Sequence, residues 1–455
     1  MDYKEFIESK TNLSGNFGFK PVWIPDTLFD FQKHIVEWAL RKGRAAVFAD
    51  TGLGKTLIEL VIAKNYIQKF NKPVLILTPL AVAFQFLKEA QKFGIDDIEY
   101  SKEGKFTKKI VICNYERLQY FNASDFDCVL LDESSILKNF NGAIKSQVTT
   151  FMKKVKYRFL FTATPSPNDF VELGTSSEAL GYMGYMEMLS TFFANNENNI
   201  RPQEIGCKWY LKPHAQKAFF KWVSSWAISI KNPSDLGFDD SRFILPELKL
   251  NYYPVKNNKN WVSHGTPQIF NIIAKTMSEV REEQKMTINQ RCEKSVELAK
   301  NHSTSVYWCY FNDEGDLLQE LDKSAYQLKG AMSIDEKESI LLGFYNGEIK
   351  KLITKPKITC FGLNWQHCNH TVYFPTWSYE QYYQSIRRFW RFGQTKEVIC
   401  DLVYSDGQKR VIDTLLLKTE NAKELFKKLI EFTNEKYDLK QNEFTQKIEL
   451  PTFLK

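Results

Sequence analysis

The chain has 455 residues, of which 43% are hydrophobic and 25% are charged, and its formal net charge is +7. This length is too great for one ordinary core and suits two domains of about 200 residues each. The composition excludes a disordered chain, and the modest positive charge allows one phosphate-binding face but excludes a histone-like, purely electrostatic binder.

The eight cysteines form no Cys-x-x-Cys pair, so neither a disulfide framework nor a zinc ribbon is predicted. Cys113, Cys128, Cys309 and Cys400 lie in apolar, strand-like runs, which favours small buried thiols. The first residues do not resemble a signal peptide, and no apolar run reaches ~18 residues. We therefore expect a soluble protein of the reducing cytoplasm with no membrane partner.

The first half of the chain alternates helical and strand patterns. A helix is predicted over residues 31–40, a strand over 44–48 and a second helix over 57–66. Continuous apolar runs, typical of buried parallel strands, follow at 74–77, 109–113, 128–131 and 159–161. Each run ends in polar residues, and the carboxyl ends of parallel strands carry the functional side chains of such sheets.

A Gly-rich turn joins the 44–48 strand to the second helix and reads Ala49-Asp50-Thr51-Gly52-Leu53-Gly54-Lys55-Thr56. In this pattern backbone N–H groups surround a triphosphate, the lysine reaches the β- and γ-phosphates and the threonine hydroxyl holds Mg²⁺. The dipole of the following helix also favours an anion. The turn predicts an ATP site formed by Thr51, Gly52, Leu53, Gly54, Lys55 and Thr56.

Two acidic residues, Asp132 and Glu133, follow the apolar run at 128–131. Asp132 can hold Mg²⁺ through its water shell, and Glu133 is placed to orient or deprotonate an attacking water. Acidic pairs at strand ends also cap helices. The Gly-rich turn upstream favours the catalytic interpretation.

Residues 170–245 lack this alternation and are predicted to form an accessory insertion late in the first domain. Phe219, Trp222, Val223 and Trp226 recur at helical spacing, which favours a face packed on the domain over a base-stacking surface. For the lysines nearby, a solvated face and a DNA contact both stay open. These lysines are Lys208, Lys212, Lys217, Lys221 and Lys231.

The second half repeats the helix-and-strand pattern. A long helical stretch over 268–300 is followed by a strand at 305–310, a helix at 313–321, strands at 352–354 and 371–374, and a charged helical tail at 409–439. Residues 384–394 read Gln-Ser-Ile-Arg-Arg-Phe-Trp-Arg-Phe-Gly-Gln. Because guanidinium groups stabilise the charge that builds on a transferring γ-phosphate, Arg388 and Arg391 are predicted to serve the ATP site.

The order of these motifs resembles that of the superfamily-two helicases, specifically the Swi/Snf-like double-stranded DNA translocases. Residues 28–33 resemble the segment that reads adenine, with Gln32 as the base-specific group, and Gln384 begins the closing motif. The run from Asp132 to Asn139 resembles the family's Asp-Glu-x-His followed by Lys-Asn, but Ser135 stands where the family has histidine. The resemblance implies that this change loosens the coupling between ATP and DNA.

The resemblance also implies contacts to the DNA backbone from both halves of the chain. These residues are Thr78, Pro79, Asn114, Tyr115, Lys329, Gly330, Gly362 and Asn364. Thr162-Ala163-Thr164-Pro165 resembles the motif that couples the ATP and DNA sites. The family's Gly-Gly pair before Gly362 is replaced here by nearby Thr359-Cys360, which implies a stiffer loop.

By the same resemblance the fold class is α/β, with two tandem RecA-like lobes, parallel central sheets and the ATP site in the cleft between them. Residues 1–245 would form the first lobe, an ATP-binding helicase domain that includes the insertion at 170–245. Residues 246–455 would form the second lobe, a helicase C-terminal domain with a helical tail over 409–455. The expected cofactors are ATP and Mg²⁺, the expected partner is duplex, forked or branched DNA, and we expect a monomer.

The leading prediction is a DNA-dependent ATPase that drives branch migration of forks or four-way junctions in replication, recombination or repair. The run at 132–139 is most similar to the fork-remodelling, strand-annealing branch of the family. The alternatives are a duplex translocase that displaces bound proteins, an RNA helicase, and a nucleotide-gated DNA-binding module with little hydrolysis. Phage-encoded members carry a similar insertion ending in Pro-Ser-Asp-Leu-Gly, here residues 233–237, which favours a viral origin and the host cytoplasm.

Overall fold

The computed structural model describes residues 17–138, 142–167, 169–195, 209–256, 262–263, 266–267, 277–359 and 364–443. The chain divides into two compact units, which we call the first lobe and the second lobe. The first lobe comprises Met1–Thr78, Glu89–Asp240 and Ala422–Lys455, and the second comprises Pro79–Lys88 and Ser241–Asn421. The predicted domains, with a boundary at 245/246 and the whole tail in the second lobe, stay a prediction; the compact units divide at Asp240 and group the residues after Asn421 with the first lobe.

The first lobe is built on a parallel sheet of seven strands in the order β3-β4-β2-β5-β6-β1-β9. The strands are β1 (Arg44–Ala49), β2 (Val74–Thr78), β3 (Ile98–Tyr100), β4 (Ile110–Asn114), β5 (Cys128–Leu131), β6 (Tyr157–Thr162) and β9 (Ala227–Ile230). Every residue of β2, β4, β5 and β6 is buried, as expected for parallel strands covered on both faces. A separate antiparallel pair consists of β7 (Phe193–Asn195) and β8 (Trp209–Leu211).

Helices of 8 to 16 residues alternate with these strands. They are α1 (Asp30–Lys42), α2 (Lys55–Phe70), α3 (Leu80–Lys92), α4 (Ala143–Lys153), α5 (Leu173–Leu180), α6 (Tyr185–Phe192) and α7 (Gln216–Trp226). Most of α3 belongs to the segment Pro79–Lys88 of the second lobe. Helix α1 ends where Gly43 adopts a left-handed conformation with φ 69°, and the Gly43 N–H donates to the Ala39 carbonyl. Glycine fits this position because it has no Cβ to clash in that region.

The predicted insertion is packed into the first lobe rather than standing apart from it. In α7 the side chains of Phe219, Val223 and Trp226 are fully buried, which confirms the packed aromatic face. The next segment, β9, pairs in parallel with β1 and adds a strand to the central sheet. The sequence analysis missed β9 because its four residues follow the helix without an intervening turn signal.

The C-terminal helix α14 (Lys409–Glu443) belongs to both lobes. Its residues up to Asn421 are part of the second lobe, and those from Ala422 onward are part of the first lobe. Leu425, Phe426 and Leu429 are buried in the hydrophobic core of the first lobe. The ring of Phe432 stacks on Phe220 of α7 with centroids 6.0 Å apart. This apolar stripe explains why the described residues of the tail after Asn421 belong to the first lobe.

The second lobe contains a parallel sheet of six strands in the order β10-β17-β16-β13-β15-β14. These strands are β10 (Leu248–Val255), β13 (Ser305–Trp308), β14 (Ala325–Gln327), β15 (Lys351–Thr354), β16 (His370–Tyr373) and β17 (Val398–Ser405). Two short segments, β11 (Val262–Ser263) and β12 (Thr266–Pro267), pair with each other. The prediction of an α/β fold with two parallel-sheet lobes is confirmed.

The remaining helices are α8 (Met277–Met286), α9 (Ile288–Ala299), α10 (Asn312–Leu321), α11 (Ile334–Tyr345), α12 (Pro356–Thr359) and α13 (Tyr379–Ile386). Between α9 and α10, Arg291 Nη1 lies 2.6 Å from Glu314 Oε1, and each side chain is only 1% exposed. The other Glu314 oxygen accepts the backbone N–H groups of Tyr310 and Phe311. None of the helices in the described ranges is both long and apolar enough to span a membrane.

The buried ion pair predicts a large penalty for removing one partner alone. We expect Arg291→Met to destabilise the second lobe by about 3–5 kcal/mol, because it leaves the Glu314 carboxylate buried without its counter-ion. Urea unfolding followed by tryptophan fluorescence measures this. The matched control is Lys294→Met, which breaks an exposed pair with Glu297 and should cost about 0–1 kcal/mol. Equal losses of unfolding free energy in the two variants would contradict the claim that the buried Arg291–Glu314 pair is important for stability.

Candidate active site

The Gly-rich turn lies between β1 and α2 and relies on two glycines in left-handed conformations. Gly52 has φ 91° and Gly54 has φ 77°, backbone angles that residues with a Cβ atom rarely adopt. A Cβ added to Gly54 would lie 2.3 Å from Nε2 of Gln32, so the close approach also requires glycine. The turn therefore presents its backbone at the N-terminal end of α2, where main-chain N–H groups and the helix dipole favour an anion.

Lys55 is the first residue of α2 and places a positive charge inside the turn. Its ammonium group donates to the carbonyl oxygens of Ala49 at 3.1 Å and Asp50 at 3.4 Å. The side chain is half-buried, and the neighbouring Thr56 is half-buried as well. A cation and a hydroxyl group thus lie next to the anion-binding end of the helix.

Gln32 braces the turn from α1. Its Nε2 donates to the Leu53 carbonyl at 2.9 Å, and its Oε1 accepts the Phe29 N–H at 3.0 Å. Because the side chain is only 4% exposed, both ends of the amide are held inside the lobe. The structure places Gln32 against the turn, and its role in reading a base stays a prediction.

Asp132 and Glu133 lie where β5 ends, and both are buried, at 5% and 8% exposure. The Asp132 N–H donates to the Leu77 carbonyl at 2.8 Å, which continues the strand pairing by one residue. Glu133 has φ 50°, an uncommon conformation for a residue with a side chain. The Thr162 hydroxyl donates to Glu133 Oε2 at 3.4 Å, so the expected coupling motif contacts this acid.

A third buried acid, Glu59, was missed by the sequence analysis. It lies one helical turn after Lys55 and is 0% exposed. Neither of its carboxyl oxygens meets an N–H or O–H donor elsewhere in the described residues, and the group interacts electrostatically with Asp132, Lys55 and Glu133. The signal in the sequence was a single charge inside the otherwise apolar run Leu57-Ile58-Glu59-Leu60-Val61.

The electrostatics of this cluster follow from burying several acids beside one ammonium group. Burial, followed by the nearby charge of Glu133, raises the pKa of Asp132 to about 7, and Lys55 opposes the shift. Burial, followed by the charge of Asp132, raises the pKa of Glu59 well above its usual range. Burial therefore favours the protonated forms of Asp132 and Glu59, and a bound cation would favour their ionised forms.

This donor set fits a magnesium-bound triphosphate. The oxygens of Thr56 and Asp132 are the hard ligands that Mg²⁺ prefers. Within the described ranges, no three acidic, histidine or cysteine side chains come together as a complete metal cage. A cation here would therefore share its ligands with phosphate oxygens and water, as is usual for Mg²⁺ at nucleotide sites.

Three of the residues expected to contact DNA have buried side chains. Thr78, Tyr115 and Asn114 are 0%, 1% and 5% exposed, respectively. The hydroxyl groups of Thr78 and Tyr115 donate to Asp132, and the Asn114 amide donates to Glu116 Oε2 at 3.2 Å. These side chains form hydrogen bonds inside the lobe, and their contact with DNA stays a prediction; Pro79, the fourth residue of this group, is half-buried.

The corresponding residues of the second lobe are more accessible. Lys329 and Gly330 are exposed, and the Lys329 ammonium lies 2.8 Å from Asp316 Oδ1 at the surface. Asn364 is half-buried. Gly362 lies outside the described residues.

The arginine-rich segment follows α13 and is anchored in the second lobe. Trp390 Nε1 donates to the Pro246 carbonyl at 2.7 Å, and Gln394 Nε2 donates to the Gln366 carbonyl at 3.0 Å. Gln384 and Arg388 are buried, and Arg391 is half-buried. The segment is a packed turn that combines aromatic anchors with guanidinium groups.

Two family models match the chain at the positions of these sites. Residues 26–167 match the type III restriction enzyme, res subunit, and residues 287–393 match the helicase conserved C-terminal domain. The first match contains the Gly-rich turn, Asp132 and Glu133, and the second contains Arg388 and Arg391.

Similar proteins are also helicases by name. The chain is 23% identical over 463 aligned positions to the uncharacterized ATP-dependent helicase YqhH of Bacillus subtilis, covering 90% of this chain and 81% of that protein. It is 28% identical over 192 positions to the DNA annealing helicase and endonuclease ZRANB3 of Mus musculus, covering 38% of this chain and 17% of that protein. The chain thus matches about a sixth of that longer relative.

A solved structure of similar extent is the Sulfolobus solfataricus SWI2/SNF2 ATPase core in complex with dsDNA. The two chains are 19% identical, the TM-score is 0.42, and the alignment covers 91% of this chain and 99% of the other.

The two matched domains define the class: the chain is a superfamily-two helicase, with a ResIII domain followed by a Helicase_C domain. Its neighbours include proteins of the SWI/SNF type. The chain is an enzyme, a DNA-dependent ATPase.

The buried acid Glu59 predicts a stabilising substitution. We expect Glu59→Gln to raise the melting temperature of the nucleotide-free protein by about 2–4 °C, roughly 1 kcal/mol for the lobe. In the folded wild type Glu59 keeps its proton at pH values where the unfolded chain has lost it. The stability of the wild type therefore falls as the pH rises above the pKa that Glu59 has in the unfolded chain. The difference between variant and wild type should therefore grow from pH 6 to pH 8.5.

Differential scanning calorimetry at several pH values checks this prediction. The control is Glu103→Gln, which removes an exposed acid of the same lobe and should leave the melting temperature nearly unchanged. A Glu59→Gln variant that is less stable than wild type at pH 8.5 would show that the ionised carboxylate is needed by the fold.

Proposed function

We propose that this chain is an ATP-driven motor that moves on DNA and remodels forks or branched junctions by branch migration. The observation that carries the proposal is the gathering of Lys55, Asp132 and Glu133 at one edge of the first-lobe sheet, in a chain with two helicase domains. The similarity of 38% of this chain to a protein named as a DNA annealing helicase and endonuclease, ZRANB3, supports DNA as the substrate class. A role in replication, recombination or repair and a viral origin are parts of the same proposal.

Each residue of the ATP site has a distinct role. Lys55 binds the β- and γ-phosphates in the Gly-rich turn that includes Thr51. Thr56 and Asp132 hold Mg²⁺, which when bound compensates phosphate charge. Glu133 orients the attacking water and accepts its proton, a role that its burial and its contact with Thr162 support.

Arg388 and Arg391 compensate the charge that builds on the γ-phosphate during hydrolysis. Guanidinium groups suit this role because they stay charged and present several donors in one plane. Gln384 at the start of the same segment and Gln32 against the Gly-rich turn complete the nucleotide site.

DNA is held mainly through its phosphate backbone. Lys329 and Gly330 are exposed just after a strand of the second lobe, and we propose further contacts to DNA from Pro79, Gly362 and Asn364. Contacts to phosphate carry little sequence information and weaken as salt rises. The proposed motor is therefore largely independent of DNA sequence.

Glu133→Gln and Arg391→Ala should abolish DNA-stimulated hydrolysis while ATP binding persists. For the arginine we expect a loss of turnover of about 10³-fold or more, and for the glutamate a loss of ~10²–10⁴-fold. Steady-state phosphate release measures turnover, and a fluorescent ATP analogue measures binding. Glu103→Gln and Arg410→Ala are matched controls, because both residues are exposed. Retained turnover in Glu133→Gln or Arg391→Ala would refute the corresponding role.

The choice of nucleic acid separates the proposed function from its alternatives. We expect ATP hydrolysis to be stimulated most by forked and four-way DNA, with strand exchange on mobile junctions and stimulation that declines between 50 and about 200 mM salt. Equal stimulation by linear duplex without strand exchange would favour displacement of bound proteins. Stimulation by RNA alone would indicate an RNA helicase, and no stimulation would indicate a nucleotide-gated binding module.

A further inference from the structure

Three neighbouring strands of the first lobe bring their ends to Asp132. The sheet order places β4 beside β2 and β2 beside β5, all in parallel. Strand β2 ends at Thr78, β4 is followed by Tyr115, and β5 is followed by Asp132. Residues separated by tens of positions in the chain therefore meet at one edge of the sheet.

The Thr78 hydroxyl group holds the Asp132 side chain. Its Oγ1 donates to Asp132 Oδ2 at 3.1 Å, with Thr78 fully buried and Asp132 nearly so. Thr78 is the polar residue at the end of an otherwise apolar strand, which reads Val74, Leu75, Ile76 and Leu77 before it. Because this hydrogen bond holds Oδ2, the Asp132 carboxylate cannot rotate freely. The direction in which Oδ1 points is therefore fixed as well.

The Tyr115 hydroxyl group holds the main chain of the same residue. It donates to the Asp132 carbonyl oxygen at 2.5 Å, and the tyrosine is 1% exposed. A phenol can donate its O–H to a carbonyl oxygen, and this one is shielded from water. The bonded carbonyl belongs to the peptide that precedes Glu133, whose φ of 50° is uncommon.

We propose that Thr78 and Tyr115 are positioning residues of the ATP site: Thr78 orients the Asp132 carboxylate toward Mg²⁺, and Tyr115 fixes the peptide that directs Glu133 toward the attacking water. This inference rests on the proposed function, since it assigns both residues to hydrolysis at that site. It also gives the two residues a role different from the direct DNA contact expected from the sequence.

The two bonds predict different defects. Thr78→Val removes the hydroxyl at nearly constant volume and should raise the Mg²⁺ concentration for half-maximal nucleotide binding by about 10-fold or more, the usual effect of losing a group that orients a metal ligand. Thr78→Ser should restore the wild-type value. Tyr115→Phe should lower kcat by about 10-fold or more with Mg²⁺ and nucleotide binding unchanged, because it affects Glu133.

The experiment measures Mg²⁺-dependent binding of a fluorescent ATP analogue, DNA-stimulated kcat and nucleotide-free DNA affinity, all on the full chain. Thr149→Val is the matched control, because the Thr149 hydroxyl is buried and has no hydrogen-bond partner within the described ranges. Thermal melting identifies folded variants, and Thr78→Ala replaces Thr78→Val should the latter fail to fold. Thr78→Val, Thr78→Ala and Tyr115→Phe should bind DNA as wild type does.

Loss of DNA affinity with unchanged Mg²⁺ dependence and unchanged kcat on saturating DNA would overturn the proposal and restore the direct DNA contact. Mg²⁺ dependence equal to wild type in both Thr78→Val and Thr78→Ala would overturn the role of Thr78. A wild-type chain that binds Mg²⁺ and nucleotide but hydrolyses nothing would refute the proposed function; the Thr78 comparison would still be decided by binding, and the role of Tyr115 would fail with the function.

Discussion

The burial of three acidic groups beside the Lys55 ammonium group is the constraint on which the site depends. Glu59, Asp132 and Glu133 are each less than 9% exposed, and Lys55 is the nearby cation. Carboxylates removed from water are destabilised unless they gain a proton, a donor or a cation. The arrangement is therefore stabilised by ligands that bring positive charge, which links folding of this edge of the sheet to binding of Mg²⁺ and nucleotide.

The sheet topology creates this constraint. Parallel strands β2, β4 and β5 end side by side, so the residues that follow them must meet. Hydrogen bonds from Thr78 and Tyr115 hold Asp132 from two directions, and Thr162 at the end of β6 contacts Glu133. The edge behaves as a connected polar network in a low-dielectric setting, where satisfied hydrogen bonds keep side-chain geometry well defined.

Much of this arrangement could be predicted from the sequence, because it is encoded in local patterns. The Gly-rich turn and the four apolar runs identified the sheet, and the polar residues after them predicted where the site lies. The sequence did not identify Glu59, since one acid in an apolar helix shows its partners only after folding. It also could not show that Thr78 and Tyr115 face inward, because side-chain direction at a strand end depends on the neighbouring strands. Likewise, the charged helical pattern at 409–439 predicted a helix but not the burial of Leu425 and Leu429 in the core of the first lobe.

The central claim is that the Gly-rich turn and the buried acids form one magnesium–nucleotide site, and a crystal structure of the full chain with a slowly hydrolysed ATP analogue and Mn²⁺ tests it most directly. The account predicts an anomalous Mn²⁺ peak about 2.2 Å from Thr56 Oγ1 and linked to Asp132 directly or through one water, with the triphosphate enclosed by the turn. A metal peak remote from Asp132, or a nucleotide bound away from the turn, would contradict it.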